Sequence, residues 1–126
     1  MMQPPFDNIE EWRPIARANG SYEISNLGRV RRAVQGRTSS IGKILKPYLS
    51  GFGYSTVALR VGGKSVRLSV HRLVAVAFIG LPPTPHHEIN HRNGFKADNY
   101  VSNLEWVTPS ENRYHEWRTG LRKHVP

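Results

Sequence analysis

Residues 87–91 read His-Glu-Ile-Asn-His, a spacing that fits H-E-x-x-H. On a helix, that spacing aims two imidazoles at one zinc ion and leaves the glutamate to act as a base. The neighbouring residues argue against a helix here. Pro82, Pro83 and Pro85 precede the stretch and Asn93-Gly94 follows it, leaving room for barely two turns. A strand suits Glu88-Ile89-Asn90 better, with Arg92-Asn93-Gly94 as the turn after it. On a strand His87 and His91 point the same way about 13 Å apart, too far for one metal. The zinc-protease reading is therefore set aside.

The strand reading leads to different chemistry. Leu104-Glu105-Trp106-Val107 reads as a second strand, and Thr108-Pro109-Ser110-Glu111 opens a helix. Thr108 is a fitting N-cap, Pro109 a fitting first helical residue, and Glu111 completes a capping box. Gly120 is the expected stop. The resulting β-β-α unit would place Asn90, His91 and Asn112 around one site. Metal-assisted phosphodiester cleavage needs such groups: a neutral imidazole to take a proton from water, and side-chain oxygens to hold a hard cation such as Mg²⁺ or Mn²⁺. On the helix, Asn112, His115 and Glu116 share one face, and Tyr114, Trp117 and Arg118 another. Trp106 and Trp117 are expected in the core of this unit, and Trp12 in the core of the segment before it.

That preceding segment is turn-rich and strand-like. Asn19-Gly20, Ser25-Asn26 and Gly28 punctuate short apolar pieces, and residues 33–43 read as a mobile loop. Tyr54–Val61 alternates with Val57, Leu59 and Val61 on one face; Ser65–Val70 alternates with Val66, Leu68 and Val70. Gly62-Gly63 between them signals a two-residue hairpin turn. His71–Phe78 reads as a short buried helix, and the proline cluster from Pro82 marks a boundary near residue 80. Two units follow from this, 1–80 and 81–126. His71, at the helix start beside Arg72, is read as structural.

Charge points to the partner. The chain of 126 residues carries 18 Lys and Arg against 9 Asp and Glu, a net charge of +9. No carboxylate occurs between Ile24 and His87, a tract that includes Arg29, Arg31, Arg32, Arg60, Lys64 and Arg67. One-sign tracts of this length face polyanions, and a basic two-stranded ribbon suits a DNA major groove. With no cysteine, disulfides and thiolate zinc sites are excluded. The apolar fraction of 38%, without any long apolar run, excludes a membrane span. The N-terminus resembles no secretory signal, so a cytoplasmic protein is expected.

These residues carry a resemblance. NHRNGFKADNYVSNLEWVTPSEN resembles the HNH nuclease motif of phage and intron-encoded homing endonucleases. EEWRPIARANGSYEISNLGRVRR resembles the NUMOD4 DNA-binding module that precedes it in many of them, and VHRLVAVAF the helix that links the two. The resemblance implies an α+β chain, with an N-terminal antiparallel β-rich DNA-binding module (1–80) and a β-β-α metal (HNH) nuclease unit (81–126). It implies cleavage of double-stranded DNA with one divalent metal, Mg²⁺ or Mn²⁺, in the host cytoplasm if the chain is phage-encoded.

His91 matches the family's general base, and Asn90 the metal-ligating position before it. Twelve residues on, Asn103 matches the middle asparagine that braces the loop and orients the histidine. Nine further on, Asn112 matches the second metal ligand. Asn90 is a departure, since a neutral amide binds a hard cation more weakly than a carboxylate does. A need for high Mg²⁺, or a preference for Mn²⁺, is the expectation. His115, Arg92, Lys96, Arg113 and Arg118 are candidates for phosphate or metal contact. Asn99 is read as shaping the Asp98-Asn99 turn, and His87 as lying at the site rim. The short stretch after the helix implies a small footprint, or a homodimer that extends it. The runner-up is a catalytically inactive DNA-binding relic; an RNA-binding accessory protein rests on charge alone.

Overall fold

The computed structural model describes residues 9–119; Gly120, the expected helix stop, lies outside them. Strands β1 (Trp12–Pro14), β2 (Tyr22–Ser25) and β3 (Val30–Arg32) form an antiparallel sheet in that order. A second antiparallel sheet holds β4 (Tyr48–Leu49), β5 (Ser55–Val61) and β6 (Lys64–Ser69). Helix α1 (Val70–Val74) continues as a wider π turn through Ala75–Ile79 and ends at Gly80, whose N–H donates to Ala75 O at 2.9 Å. β7 (Glu88–His91) and β8 (Leu104–Val107) make a two-stranded ribbon, and α2 (Pro109–Thr119) packs against both.

Local rules account for most of these elements. Gly62 and Gly63, with φ of +59° and +79°, make the expected tight turn between β5 and β6, since left-handed φ at both central residues matches the strands' twist. Val57 and Leu59 are buried while Ala58 and Arg60, which alternate with them, are exposed, as a one-sided sheet requires. Thr56, on the outward set, is also buried, near the end of β5 that pairs with β4. β6 stops at Ser69, and Val70 opens the helix instead of closing the strand. Residues 33–43 form a hydrogen-bonded excursion, closed by Arg32 N–H to Lys43 O at 3.0 Å and Gly42 N–H to Arg32 O at 2.9 Å.

One hydrophobic cluster joins the parts. It includes Ile15, Tyr22, Ile24 and Val30 from the first sheet, Val57 and Leu59 from the second, Val70 and Val74 from α1, and Leu104 from the ribbon. The Tyr22 hydroxyl, deep between the sheets, accepts from Arg60 N–H at 3.2 Å and from Arg32 Nη1 at 3.1 Å. Trp106 is half-buried and donates Nε1–H to Gly80 O at 2.9 Å, fastening the ribbon to the end of α1.

Two tryptophans depart from expectation. Trp117 is 67% exposed, because α2 turns its Tyr114–Trp117–Arg118 face to solvent and the two-stranded ribbon covers only the other face. Trp12 is half-buried with the Arg31 guanidinium 4.0 Å from its ring centre; on the three-residue β1 its indole serves as a platform for arginine at the sheet surface.

The segment after β7 also rests on the first sheet. Val101 N–H donates to Asn26 O at 2.8 Å. Gly28, at φ +83°, lies where a Cβ would stand 2.9 Å from Asn99 Cβ and 3.2 Å from its carbonyl oxygen. Nearby, His71 on α1 stacks on Tyr54 with ring centres 4.8 Å apart and has a buried Nδ1 without a hydrogen-bond partner. Burial, then the His91 ring and Arg72, pushes its pKa down to about 4.

Both observations are testable. Gly28→Ala and Gly42→Ala each place a side chain at positive φ, at about 1 kcal/mol of backbone strain. Only Gly28 has a neighbour within 4 Å, so its alanine variant should have the lower urea midpoint; equal midpoints would contradict the close approach. For His71 the unfolded chain takes a proton below about pH 6.5 but the folded chain only near pH 4. Stability should thus be complete above pH 6.5 and fall as pH drops toward 4, with about 2 kcal/mol lost from this group between pH 7 and 5. Thermal melts of His71→Phe should show a correspondingly shallower acid loss; an undiminished slope would place that loss elsewhere.

Candidate active site

The pleat of β7 sorts the site residues into two sets. The register pairs Glu88 with Val107, Ile89 with Trp106, Asn90 with Glu105, and His91 with Leu104. Side chains alternate along a strand, so Glu88, Asn90 and Glu105 lie on one face and Ile89 and His91 on the other. The first face meets α2, where Asn112 Nδ2 donates to Glu88 Oε1 at 2.7 Å. Asn90 Nδ2 donates to Glu105 Oε2 at 2.7 Å. Asn90 and Asn112 thus lie on one side, each bonded to a carboxylate, while His91, next to Asn90 in the strand, turns its side chain to the opposite face.

His91 is 6% exposed and faces the N-terminal sheets. Its ring centre is 5.3 Å from His71 and 6.0 Å from Tyr54. Its Nε2 meets Asn99 Oδ1 at 2.9 Å. A carbonyl oxygen only accepts, so Nε2 carries the hydrogen and Nδ1 holds the lone pair of the neutral ring. Burial lowers the His91 pKa, opposed by the Asn99 bond and by Asp98. The ring is therefore held neutral at ordinary pH.

Asn99 and Asn103 divide the work assigned to one residue. Asn103, 9% exposed, accepts Asn93 N–H at 3.0 Å and donates to Asn93 Oδ1 and Asp98 O, both at 2.9 Å. These bonds brace the loop, and the contact with the His91 ring comes from Asn99, which is 4% exposed. Asn99 is thus more than a turn residue. The Gly28 approach that seats it joins segments 71 positions apart, and no spacing rule within the 87–112 segment signals it.

The remaining candidates separate. Lys96 Nζ donates to Phe52 O at 2.9 Å and lies over the Tyr54 ring, tying the ribbon's loop to the second sheet. Arg92 Nη2 stands 3.6 Å from Glu105 Oε1. His115 is half-buried on α2, and Arg113 is exposed. His87 Nδ1 bonds with Thr84 Oγ1 at 2.8 Å, and so closes the turn before β7. With His91 on a strand, the H-E-x-x-H spacing has no helix to act on.

The basic tract also divides. Arg29 pairs with Glu10, and Arg31 with Glu23 at 2.8 Å; Glu10 has its pKa lowered mainly by that arginine. Arg32 bonds with Tyr22 and Val34. Arg60 and Arg67 are exposed on the same face of the β5–β6 hairpin, and Lys64 is exposed at its turn. An apolar cleft of about 370 Å³ lies between the first sheet and α1, but Asn90, His91, Asn99 and Asn112 are not among its walls.

The fit to a hard cation rests on donor chemistry. Asn90 and Asn112 each donate their amide nitrogen to a carboxylate, so the amide oxygen is the end left to meet a cation. Oxygen donors suit Mg²⁺ or Mn²⁺. No group of three or more His, Cys, Asp or Glu is gathered as a metal cage among the described residues.

The comparisons agree with this architecture. Residues 69–114 match the family described as HNH endonuclease, and residues 10–60 match the NUMOD4 motif. The uncharacterized HNH endonuclease L245 of Acanthamoeba polyphaga mimivirus is 36% identical over 115 residues, covering 91% of this chain and 32% of that protein. DNA endonuclease I-HmuI of Bacillus phage SP01 is 34% identical over 115 residues, covering 87% of this chain and 59% of its own length. The chain therefore spans about a third to three fifths of the length of these relatives. A solved structure of DNA binding and cleavage by the HNH homing endonuclease I-HmuI superposes with a TM-score of 0.76 at 33% identity, over 90% of this chain and 62% of that one. The α+β architecture, the two motifs in their order and these relatives place the chain in the HNH homing endonuclease family, with a NUMOD4 motif ahead of the nuclease motif.

Proposed function

We propose that the chain is a DNA endonuclease that hydrolyses phosphodiester bonds in double-stranded DNA, using one divalent cation, Mg²⁺ or Mn²⁺. The observation that carries this reading is the end of β7. There a buried, neutral histidine adjoins an asparagine whose face also receives Asn112 from α2.

His91 is the general base in this proposal. Its Nδ1 takes a proton from the attacking water, while Asn99 holds Nε2–H and so fixes both tautomer and ring orientation. Tyr54 and His71 keep the ring out of solvent. Asn90 and Asn112 would hold the cation through their amide oxygens. When bound, a divalent cation polarises the phosphate and stabilises the leaving oxygen. Asn103 keeps the loop that carries Asn99 in shape.

Duplex DNA is the partner in this reading. Arg60, Lys64 and Arg67 supply phosphate contacts from the β5–β6 hairpin, and Arg113 supplies them from α2. Arg29 and Arg31 contribute less, because each already has a carboxylate partner. Such contacts hold register on DNA without reading bases. The site of action is the cytoplasm of a host cell, where DNA is accessible. No helix among the described residues is long and apolar enough to cross a membrane. A homodimer would let two such sites act on opposite strands.

A supercoiled plasmid tests this proposal. Incubated with Mg²⁺ or Mn²⁺, it should convert to open circles if one copy acts and directly to linears if two act together. EDTA should stop the reaction, and His91→Ala should slow it by about 10²–10⁴-fold with DNA retardation retained. Full cleavage by His91→Ala would remove the assignment. Retardation without any strand break would favour the DNA-binding relic, for which the neutral Asn90 is the specific motive.

A further inference from the structure

The two amides proposed to hold the cation are each tied at the nitrogen to a glutamate. Asn90 Nδ2 donates to Glu105 Oε2 across the ribbon, and Asn112 Nδ2 donates to Glu88 Oε1 from helix to strand, both at 2.7 Å. A primary amide has two opposed ends: NH₂ repels a cation and C=O binds one. A half-turn of the amide plane would present the wrong end. A carboxylate accepts hydrogen bonds and donates none, so each contact holds the nitrogen and turns the oxygen away from it. It also sets a negative charge beside a neutral ligand.

We infer that Glu105 and Glu88 are positioning residues that orient the metal-binding amides of Asn90 and Asn112 and supply the negative charge those amides lack. The inference rests on the metal-dependent reading proposed above. Glu105 carries more of the effect. Its side chain is 31% exposed and faces an Asn90 that is 6% exposed, and Arg92 Nη2, 3.6 Å from its other oxygen, steadies it from the solvent side. Glu88 is exposed, and solvent weakens its charge more strongly.

The pairing also gives a physical reason for the residue at position 90. Asn90 and Glu105 are directly opposed in the antiparallel register. An aspartate there would set two carboxylates face to face, and like charges directly opposite destabilise a strand pair. An asparagine donates to the glutamate instead. The neutral ligand and its acidic neighbour act as a unit.

The test is Mn²⁺ binding to the full chain, followed by electron paramagnetic resonance, with the Mn²⁺ dependence of plasmid cleavage alongside. Glu105→Ala should weaken Mn²⁺ binding by about 10–100-fold, the usual scale for groups that orient a metal ligand. Glu105→Gln, whose amide oxygen still accepts from Asn90, should lose less. In both variants cleavage should recover at saturating Mn²⁺, with metal-free DNA affinity unchanged. Asn90→Asp should tighten Mn²⁺ binding more in the Glu105→Gln background than in wild type. Wild-type Mn²⁺ affinity in Glu105→Ala, when Asn90→Ala has lost it, would overturn the inference alone. An equal gain from Asn90→Asp in both backgrounds would do the same. Unchanged binding in Asn90→Ala and Asn112→Ala would overturn the metal-site reading, and this inference with it.

Discussion

The site depends on taking one imidazole out of water without charging it. His91 achieves this only because the N-terminal sheets cover it. Tyr54 and His71 pack against the ring, and Asn99 bonds Nε2. A two-stranded ribbon with one helix cannot bury a side chain on its outer face. The ribbon's other face is therefore closed by the preceding module, and Leu104 opposite His91 joins the core of that module.

This dependence accounts for several contacts that would otherwise look decorative. Gly28 lets the first sheet approach Asn99 closely, and Asn26 receives the Val101 N–H. Lys96 reaches back to Phe52. Trp106 is fastened to the end of α1 at Gly80. Each contact fixes the ribbon on the sheets at a different point. Together they hold His91 by packing that reaches well beyond its own motif. On the opposite face of β7, Asn90 is as buried as His91, and with Glu105, Glu88 and Asn112 it forms two amide–carboxylate pairs.

Charge on this molecule has two uses. Where arginines lie beside the few carboxylates and the tryptophan near the first sheet, they are paired at its surface: Arg29 with Glu10, Arg31 with Glu23, both beside Trp12. On the β5–β6 hairpin, in the carboxylate-free stretch, Arg60, Lys64 and Arg67 stay exposed. A tract can thus be uniformly basic along the chain and still be divided in space, because antiparallel pairing brings Glu23 across from Arg31.

What the sequence by itself determined was local. The alternation of Val57 and Leu59, the Gly62-Gly63 turn, the Thr108–Glu111 capping box and the strand at Glu88–His91 follow from neighbours within a few residues. The capping box forms as expected, with Thr108 N–H to Glu111 Oε1 at 2.8 Å and Glu111 N–H to Thr108 Oγ1 at 3.1 Å. The spacing from Asn90 and His91 to Asn103 and Asn112 was equally legible, since one short β-β-α unit contains it. Only the tertiary structure decided who touches whom across the chain. It placed Asn99, rather than Asn103, on the His91 ring, gave His91 its Tyr54 and His71 neighbours, opposed Glu105 to Asn90, and left Trp117 in solvent. Such contacts depend on how distant segments meet, and residue type with short-range period carries no information about that.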